Sequence, residues 1–130
     1  MRETFHKNER LCSRTLIQQL FRTGRTFNSG PFRAHWLPRA GTSGSPVQVM
    51  IAVPKGLVPK ATGRNLLKRR IREAYRRNKK ILYEPLSAAG RQIVLIISYN
   101  TKETLTFEEI RPKIILLLQR LNEAVEKTSG

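Results

Sequence analysis

The sequence predicts an α+β domain of two layers, with its elements in the order helix, strands, helix, strand, helix. Three patterns lead to this prediction: helical spacing of apolar residues near the N-terminus, apolar runs at 47–53 and 93–98, and a long basic helical pattern between those runs. The 130 residues fit a single domain, 1–130, and 39% of them are hydrophobic, which is enough for a packed core. We expect residues 1–9 and 127–130, approximately, to be flexible.

The first helix is predicted from Ser13 to Phe21, because apolar residues recur there at helical spacing, and Gly24 is a natural terminator. The aromatic-rich segment Phe27–Leu37, bounded by Pro38, and the apolar run Val47–Val53 indicate strands joined by a Gly/Ser loop. The stretch between Phe27 and Val53 has room for a third strand.

A central strand is predicted at Ile93–Ser98, because its residues are apolar on both faces. Two prolines and a glycine keep residues 54–59 out of regular structure, and a helical pattern then runs from about Gly63 to Leu82, where Pro85 is expected to end it.

The last helix is predicted to begin at a capping box formed by Thr106 and Glu109. Pro112 would remove a hydrogen bond early in this helix, so we expect either a kink or a restart at that residue. The predicted buried face consists of Ile114, Ile115, Leu117, Leu118 and Leu121.

The charge indicates a polyanionic partner, because 25 Lys and Arg against 9 Asp and Glu leave a net charge of +16. Nucleic acid ranks above an anionic membrane surface or an acidic protein. Cys12 is the only cysteine, which excludes an intramolecular disulfide and a zinc site of several thiolates. With no signal segment and no apolar run long enough to span a bilayer, we expect a soluble cytoplasmic protein.

The basic helix divides its residues between two faces. Residues 64–80 hold nine Lys or Arg and one acid, Glu73. At 100° per residue the apolar arc contains Leu67, Ile71, Ala74 and Tyr75. A second, cationic face contains Lys68, Arg72, Arg76 and Lys79, flanked by Asn65, Arg69 and Lys80.

Such a face is either a solvated surface that aids solubility or a binding surface for phosphates. Solubility faces normally mix acids with bases, and this one has almost no acids, so the pattern favours phosphate binding. Lys55, Lys60 and Arg64 add cations just before the helix and near its N-terminus. Arg70 and Arg77 are predicted to point elsewhere.

No grouping of residues for protein-based catalysis stands out. His6 and His35 are isolated, and no closely spaced acids could hold Mg²⁺ or divide acid and base roles. We therefore predict no catalytic residue and no metal site in the protein, and no small-molecule substrate.

Residues 61–73 read Ala-Thr-Gly-Arg-Asn-Leu-Leu-Lys-Arg-Arg-Ile-Arg-Glu. This segment resembles the pattern Ala-Val-x-Arg-Asn-x-x-Lys-Arg-x-x-Arg-Glu of the bacterial ribonuclease P protein component and differs from it only at Thr62. The chain departs from the family at Ile17, His35 and Gly56, where Phe, Tyr and Lys are common. The resemblance covers most of the chain and includes Arg10, Leu11, Ile17, Phe21, Gly24, Phe32, His35 and Val53-Pro-Lys55.

The resemblance implies an α-β sandwich with a left-handed βαβ crossover, an RNA-binding helix and a separate cleft for the single-stranded leader of precursor tRNA. The RNA-binding residues that it implies are Arg64, Asn65, Lys68, Arg69 and Arg72, supplemented by Arg76, Lys55 and Lys60. For the leader cleft it implies Ile17, Phe21 and His35, and Arg33 should share the face of His35 by strand alternation.

The function implied by the resemblance is that of the small protein subunit of the endoribonuclease ribonuclease P. The catalytic RNA, with its bound Mg²⁺, would carry out the chemistry, and one monomeric protein per RNA would bind that RNA and the precursor tRNA. Two alternatives remain: a general structured-RNA-binding or ribosome-associated protein, and a membrane-surface or acidic-partner adaptor.

Overall fold

The computed structural model describes residues 9–39 and 44–128. Its four strands form one sheet, and the predicted α+β class is confirmed, as is the third strand for which the sequence had room. Helices and strands follow one another as α1 (Arg14–Thr23), β1 (Arg25–Ser29), β2 (Phe32–Arg39), β3 (Val47–Ala52), α2 (Ala61–Asn78), α3 (Lys80–Ala89), β4 (Gln92–Tyr99) and α4 (Phe107–Lys127).

The first helix begins after Ser13, as predicted, and it extends two residues beyond Phe21 to the predicted terminator, Gly24. The Ser13 hydroxyl accepts a hydrogen bond from the Leu16 amide at 3.3 Å, and the Gly24 amide donates to the Leu20 carbonyl at 3.0 Å. β1 and β2 then form an antiparallel hairpin whose turn contains Gly30 at φ +59°, a left-handed conformation that glycine adopts without strain.

The sheet has the order β1-β2-β4-β3, with β4 antiparallel to β2 and parallel to β3. The parallel connection passes through α2 and α3, so a βαβ crossover is present, while its left hand stays a prediction from the resemblance. β4 is buried on both faces, as predicted. Ile93, Leu95 and Ile97 pack in the larger core with α2 and α4, and Val94 and Ile96 pack beneath α1.

α2 turns its predicted apolar arc, Leu67, Ile71, Ala74 and Tyr75, fully into the core. Arg70 donates to the Leu105 carbonyl at 2.5 Å, and the Arg77 guanidinium lies 5.3 Å from the centre of the Phe107 ring. Both arginines therefore reach toward α4 and its preceding loop, which confirms that they leave the cationic face.

The predicted single helix ended by Pro85 is wrong. α2 ends at Asn78, and a new helix begins because the Leu82 and Tyr83 amides donate to the Lys79 carbonyl at 3.0 and 2.9 Å. Pro85 is the sixth of the ten residues of α3. There its missing N–H removes one helical hydrogen bond without ending the helix.

Three smaller predictions also require correction. β2 continues through Pro38 to Arg39. β1 begins at Arg25 opposite Trp36 and does not extend alongside Pro38, so one side of β2 is there an edge that tolerates proline. α4 runs without interruption from its confirmed capping box through Pro112, so the predicted restart is wrong and the kink stays a prediction. Ile115 is only half-buried, whereas Ile110 and Val125 join the buried face of α4.

The predicted flexible ends lie largely outside the described residues. Among those that are described, Lys127 ends α4, Thr128 caps it, and Glu9 is buried. Within the described ranges, no helix has the length and apolar character required to cross a membrane.

A buried ion pair anchors the chain ahead of α1. The Lys79 ammonium lies 3.1 and 3.0 Å from the two carboxylate oxygens of Glu9, and the Tyr83 hydroxyl also donates to that carboxylate. Lys79 and Glu9 are 5% and 3% exposed, so neither charge is solvated. Lys79 thus belongs to the core, and its prediction as part of the cationic face is wrong.

Replacing Lys79 with Met should lower the free energy of unfolding by about 3–5 kcal/mol, because it leaves a buried carboxylate without its cation. Urea unfolding followed by circular dichroism measures this loss. Lys102→Met, which removes an exposed positive charge from a loop, is the control and should change the free energy by less than about 0.5 kcal/mol. Equal losses in the two variants would contradict the anchoring role.

Candidate nucleic-acid interface

Three cations on α2 form a surface without local neutralisation. Arg69 and Arg72 are exposed and Lys68 is half-buried. In the described parts of the chain, none of the three lies within ion-pair distance of a carboxylate. Asn65 is exposed one turn before Arg69 and adds an amide to the same helix. Together, Asn65, Lys68, Arg69 and Arg72 are named here the α2 face.

Glu73 is the only acid of α2, and two arginines turn it away from the α2 face. Arg76 Nε donates to one carboxylate oxygen at 2.5 Å, and Arg77 lies 3.9 Å from the other. The hydrogen bond from Arg76 lowers the pKa of the Glu73 carboxyl, so Glu73 stays ionised. Arg76, predicted to supplement RNA binding, is therefore already paired with an acid.

Arg64 connects the loop before α2 to the first turn of the helix. Its guanidinium donates to the carbonyls of Val58 and Pro59 at 3.0 and 2.6 Å. The contact is close, since a Cβ built on Gly63 would lie 3.1 Å from a Val58 methyl group. Arg64 is half-buried and therefore positions the loop in addition to carrying charge near the helix N-terminus.

Lys55 and Lys60 are both exposed, on either side of the turn before α2. Lys60 is the N-cap residue of α2, and its side chain makes no capping hydrogen bond to the helix. The predicted cations Lys60 and Arg64 thus lie at the N-terminal end of the helix that carries the α2 face, while Lys79 is excluded from that face.

The second group of predicted residues meets where α1 crosses β2, a site named here the α1–β2 cleft. The Phe21 and His35 rings lie 5.0 Å apart between centroids at an interplanar angle of 63°, an edge-to-face contact. Phe21 is 52% exposed, which is unusual for a large aromatic side chain. Ile17 is half-buried beside it, and Arg33 is exposed on the face of β2 that carries His35, as strand alternation predicted.

His35 is buried and unusual in its hydrogen bonding. It is 7% exposed, and its Nδ1 has no hydrogen-bond partner among the residues that the structure describes. Burial, with Arg33 as a second cause, lowers the pKa of His35 below its ordinary value of 6.5. The imidazole is therefore neutral at pH 7 and presents a planar, uncharged ring next to Phe21.

The two sites occupy opposite sides of the sheet. α2 packs on the face that contains Ala34 and Trp36, whereas His35 lies on the other face with α1. Across the described ranges, no three His, Cys, Asp or Glu side chains are grouped as metal ligands would be.

Glu9 is the structurally important residue that the sequence did not reveal, because its partner Lys79 is 70 positions away and no local pattern links them.

Known proteins are similar to this chain in sequence and in fold. A model of the family described as Ribonuclease P matches residues 5–122. The ribonuclease P protein component of Chlorobium phaeobacteroides is 32% identical over 91% of this chain and 88% of its own length, and that of Chlorobaculum tepidum is 39% identical over 58% and 53%.

A solved structure of the ribonuclease P protein from Thermotoga maritima superposes with a TM-score of 0.68 at 26% identity, covering 86% of this chain and 96% of that one. The match of fold and sequence extends over both the α2 face and the α1–β2 cleft. The chain belongs to the ribonuclease P protein family, whose members are the protein components of the endoribonuclease that processes the 5′ ends of tRNA.

Proposed function

We propose that this chain binds the catalytic RNA of ribonuclease P through the α2 face and holds the 5′ leader of precursor tRNA in the α1–β2 cleft. The protein thereby promotes endonucleolytic removal of the leader, and it works in the cytoplasm as one monomer per RNA. One observation carries the proposal: the cationic α2 face lies on one side of the sheet, and the α1–β2 cleft with its exposed aromatic ring lies on the other.

The α2 face has the chemistry that a folded RNA requires. Phosphates attract Lys68, Arg69 and Arg72, which have no carboxylate partner among the described residues. Each guanidinium offers a planar fork of donors that matches two phosphate oxygens, and Asn65 can donate to a base or ribose. Binding also relieves the repulsion among these cations, which stabilises the bound state at low salt.

The α1–β2 cleft suits a flexible single strand. Unpaired bases stack on exposed aromatic rings, and Phe21 offers such a ring while His35 supports it from below. Arg33, two residues before His35, can bind a phosphate of the same strand. A neutral His35 keeps a second positive charge away from Arg33, so the cleft combines one cation with an uncharged stacking surface.

Catalysis is assigned to the RNA subunit. Among the residues described, His35 is enclosed by the sheet and α1, and the carboxylates of Glu9 and Glu73 are already paired with cations. No grouping of ligands there would bind Mg²⁺ through the protein alone. We propose that Mg²⁺ acts at the RNA, while the protein contributes substrate affinity.

Cleavage of a 5′-extended precursor tRNA by a bacterial ribonuclease P RNA at low Mg²⁺, with and without the protein, tests this function. We expect strong stimulation that depends on the leader. A general structured-RNA-binding protein, the second candidate suggested by the net charge of +16, would bind the RNA without leader-dependent stimulation.

Changing Arg72 to Ala should weaken binding to the catalytic RNA and reduce the slope of log affinity against log salt by about 0.9 for one lost phosphate contact. Filter binding across a salt series measures the slope. Lys102→Ala removes the same formal charge from an exposed loop residue that is not part of the α2 face and should leave the slope unchanged. Identical slopes for the two variants would exclude Arg72 from the interface.

Changing Phe21 to Ala should weaken binding of precursor tRNA to the holoenzyme by about 1–3 kcal/mol, the contribution of one base–aromatic stack, and should spare mature tRNA. Leu116→Ala is the matched control, because Leu116 is an exposed apolar residue of α4 far from α1 in the fold. Equal losses for precursor and mature tRNA would mean that Phe21 acts in folding rather than in leader binding.

His35 should make folding stability depend on pH. Because its pKa is lowered in the folded state, the unfolded chain binds the proton more readily. The free energy of unfolding should therefore fall as the pH drops through the unfolded pKa of about 6.5, until the lowered folded pKa is passed. Urea unfolding at a series of pH values from 8 to 5 should show a smaller decline for His35→Phe than for the original chain, and parallel curves would contradict this assignment.

A further inference from the structure

A groove lies where the chain ahead of α1 passes the edge of the sheet. The Leu11 amide donates to the Val49 carbonyl at 2.9 Å, and Arg10 forms an isolated parallel bridge with Val49, so residues 10–11 extend the edge at β3. Between this segment and α2 is a groove of about 300 Å³. We name it the edge groove, and its polar lining consists of Arg10, Cys12, Lys68 and Arg72.

Among the described residues that line the edge groove, three are positively charged and none is an acid. The two nearest acids in sequence are both engaged elsewhere: Glu9 binds Lys79 and Tyr83, and Glu73 binds Arg76. Val49 and Met50 form an apolar floor that limits solvation of the cations above it. Charges of one sign gathered around an apolar floor attract an anion more strongly than the same charges would on an open surface.

The wall that contains Arg10 is fixed on both sides. Glu9 is buried in its ion pair with Lys79, and Leu11 is 4% exposed in the cluster beneath α1. Arg10 itself is exposed between these two anchored neighbours. Its backbone position is therefore set before any ligand binds, which reduces the entropy lost on binding.

We propose that the edge groove binds a backbone phosphate of the catalytic RNA, with Arg10 completing a clamp of which Lys68 and Arg72 form the other side. This inference rests on the proposed function and extends the RNA-binding surface from the α2 face to the edge of the sheet. The catalytic RNA is the partner rather than the leader, because two of the three cations belong to α2, on the opposite side of the sheet from Phe21 and His35.

Cys12 provides a direct probe of the groove. It is the only cysteine of the chain, it is exposed, and it lines the groove beside Arg10. Catalytic RNA should slow the reaction of Cys12 with a maleimide in proportion to the fraction of protein bound, while a leader oligonucleotide alone should leave the rate unchanged. Full reactivity at saturating catalytic RNA would overturn the proposal, and protection by the leader oligonucleotide alone would overturn the choice of partner.

The salt dependence of two Arg10 variants, one without the positive charge and one that keeps it, provides the second measurement. Arg10→Ala should lower the salt slope for catalytic RNA by about 0.9, the share of one phosphate contact, and Arg10→Lys should restore it. Arg14→Ala is the control, since Arg14 is an exposed arginine at the start of α1 that does not line the groove. Circular dichroism verifies that each variant folds.

The outcomes of these experiments distinguish failure of the groove proposal from failure of the proposed function on which it rests. If the original protein binds the RNA and stimulates leader-dependent cleavage, but Arg10→Ala and Arg14→Ala have equal slopes, the groove proposal fails and the proposed function stands. If the original protein neither binds the RNA nor stimulates cleavage, both fail. A reduced slope in Arg10→Ala alone, together with protection of Cys12, supports the groove.

Discussion

The burial of β4 on both faces is the constraint from which the rest of the structure follows. Its side chains alternate between two apolar layers, with Leu95 and Ile97 in one and Val94 and Ile96 in the other, and all four are at most 1% exposed. A strand of this kind is stable only when helices cover both sides of the sheet. α2 and α4 cover one side and α1 covers the other, so the α2 face and the α1–β2 cleft lie on separate surfaces as a result of one packing requirement.

The different contacts of the α2 side chains show how a highly basic helix is accommodated in a small domain. Its apolar arc is completely buried, and its arginines are used in different ways according to direction. Arg70 and Arg77 reach α4 and the loop before it, Arg64 binds the preceding loop, and Arg76 is paired with Glu73. These four arginines all make contacts within the protein. The cations of α2 that have no carboxylate partner among the described residues therefore lie on one surface, the α2 face.

Local patterns predicted most of the fold, and contacts between distant residues account for what they missed. Helical spacing located α1, the capping box located the start of α4, and the arc of Leu67, Ile71, Ala74 and Tyr75 was correctly assigned to the core. Lys79 was misassigned because periodicity places it with the cations, whereas its burial depends on Glu9. The break between α2 and α3 accompanies that contact, since the helix axis is interrupted at Lys79 itself. Periodicity alone cannot predict either feature.

The placement of charge and aromatic surface on opposite sides of the sheet has a consequence for the proposed function. Phosphate contacts on α2 weaken steeply with salt through counterion release, whereas stacking on Phe21 depends much less on ionic strength. Assembly with the catalytic RNA and capture of the leader therefore respond to different physical variables. If one surface bound both the catalytic RNA and the leader, a substitution that strengthened binding of the catalytic RNA would weaken binding of the leader by competition. The sheet separates the two surfaces, and the neutral ring of the buried His35 adds no positive charge to the α1–β2 cleft, which accords with its proposed role in stacking.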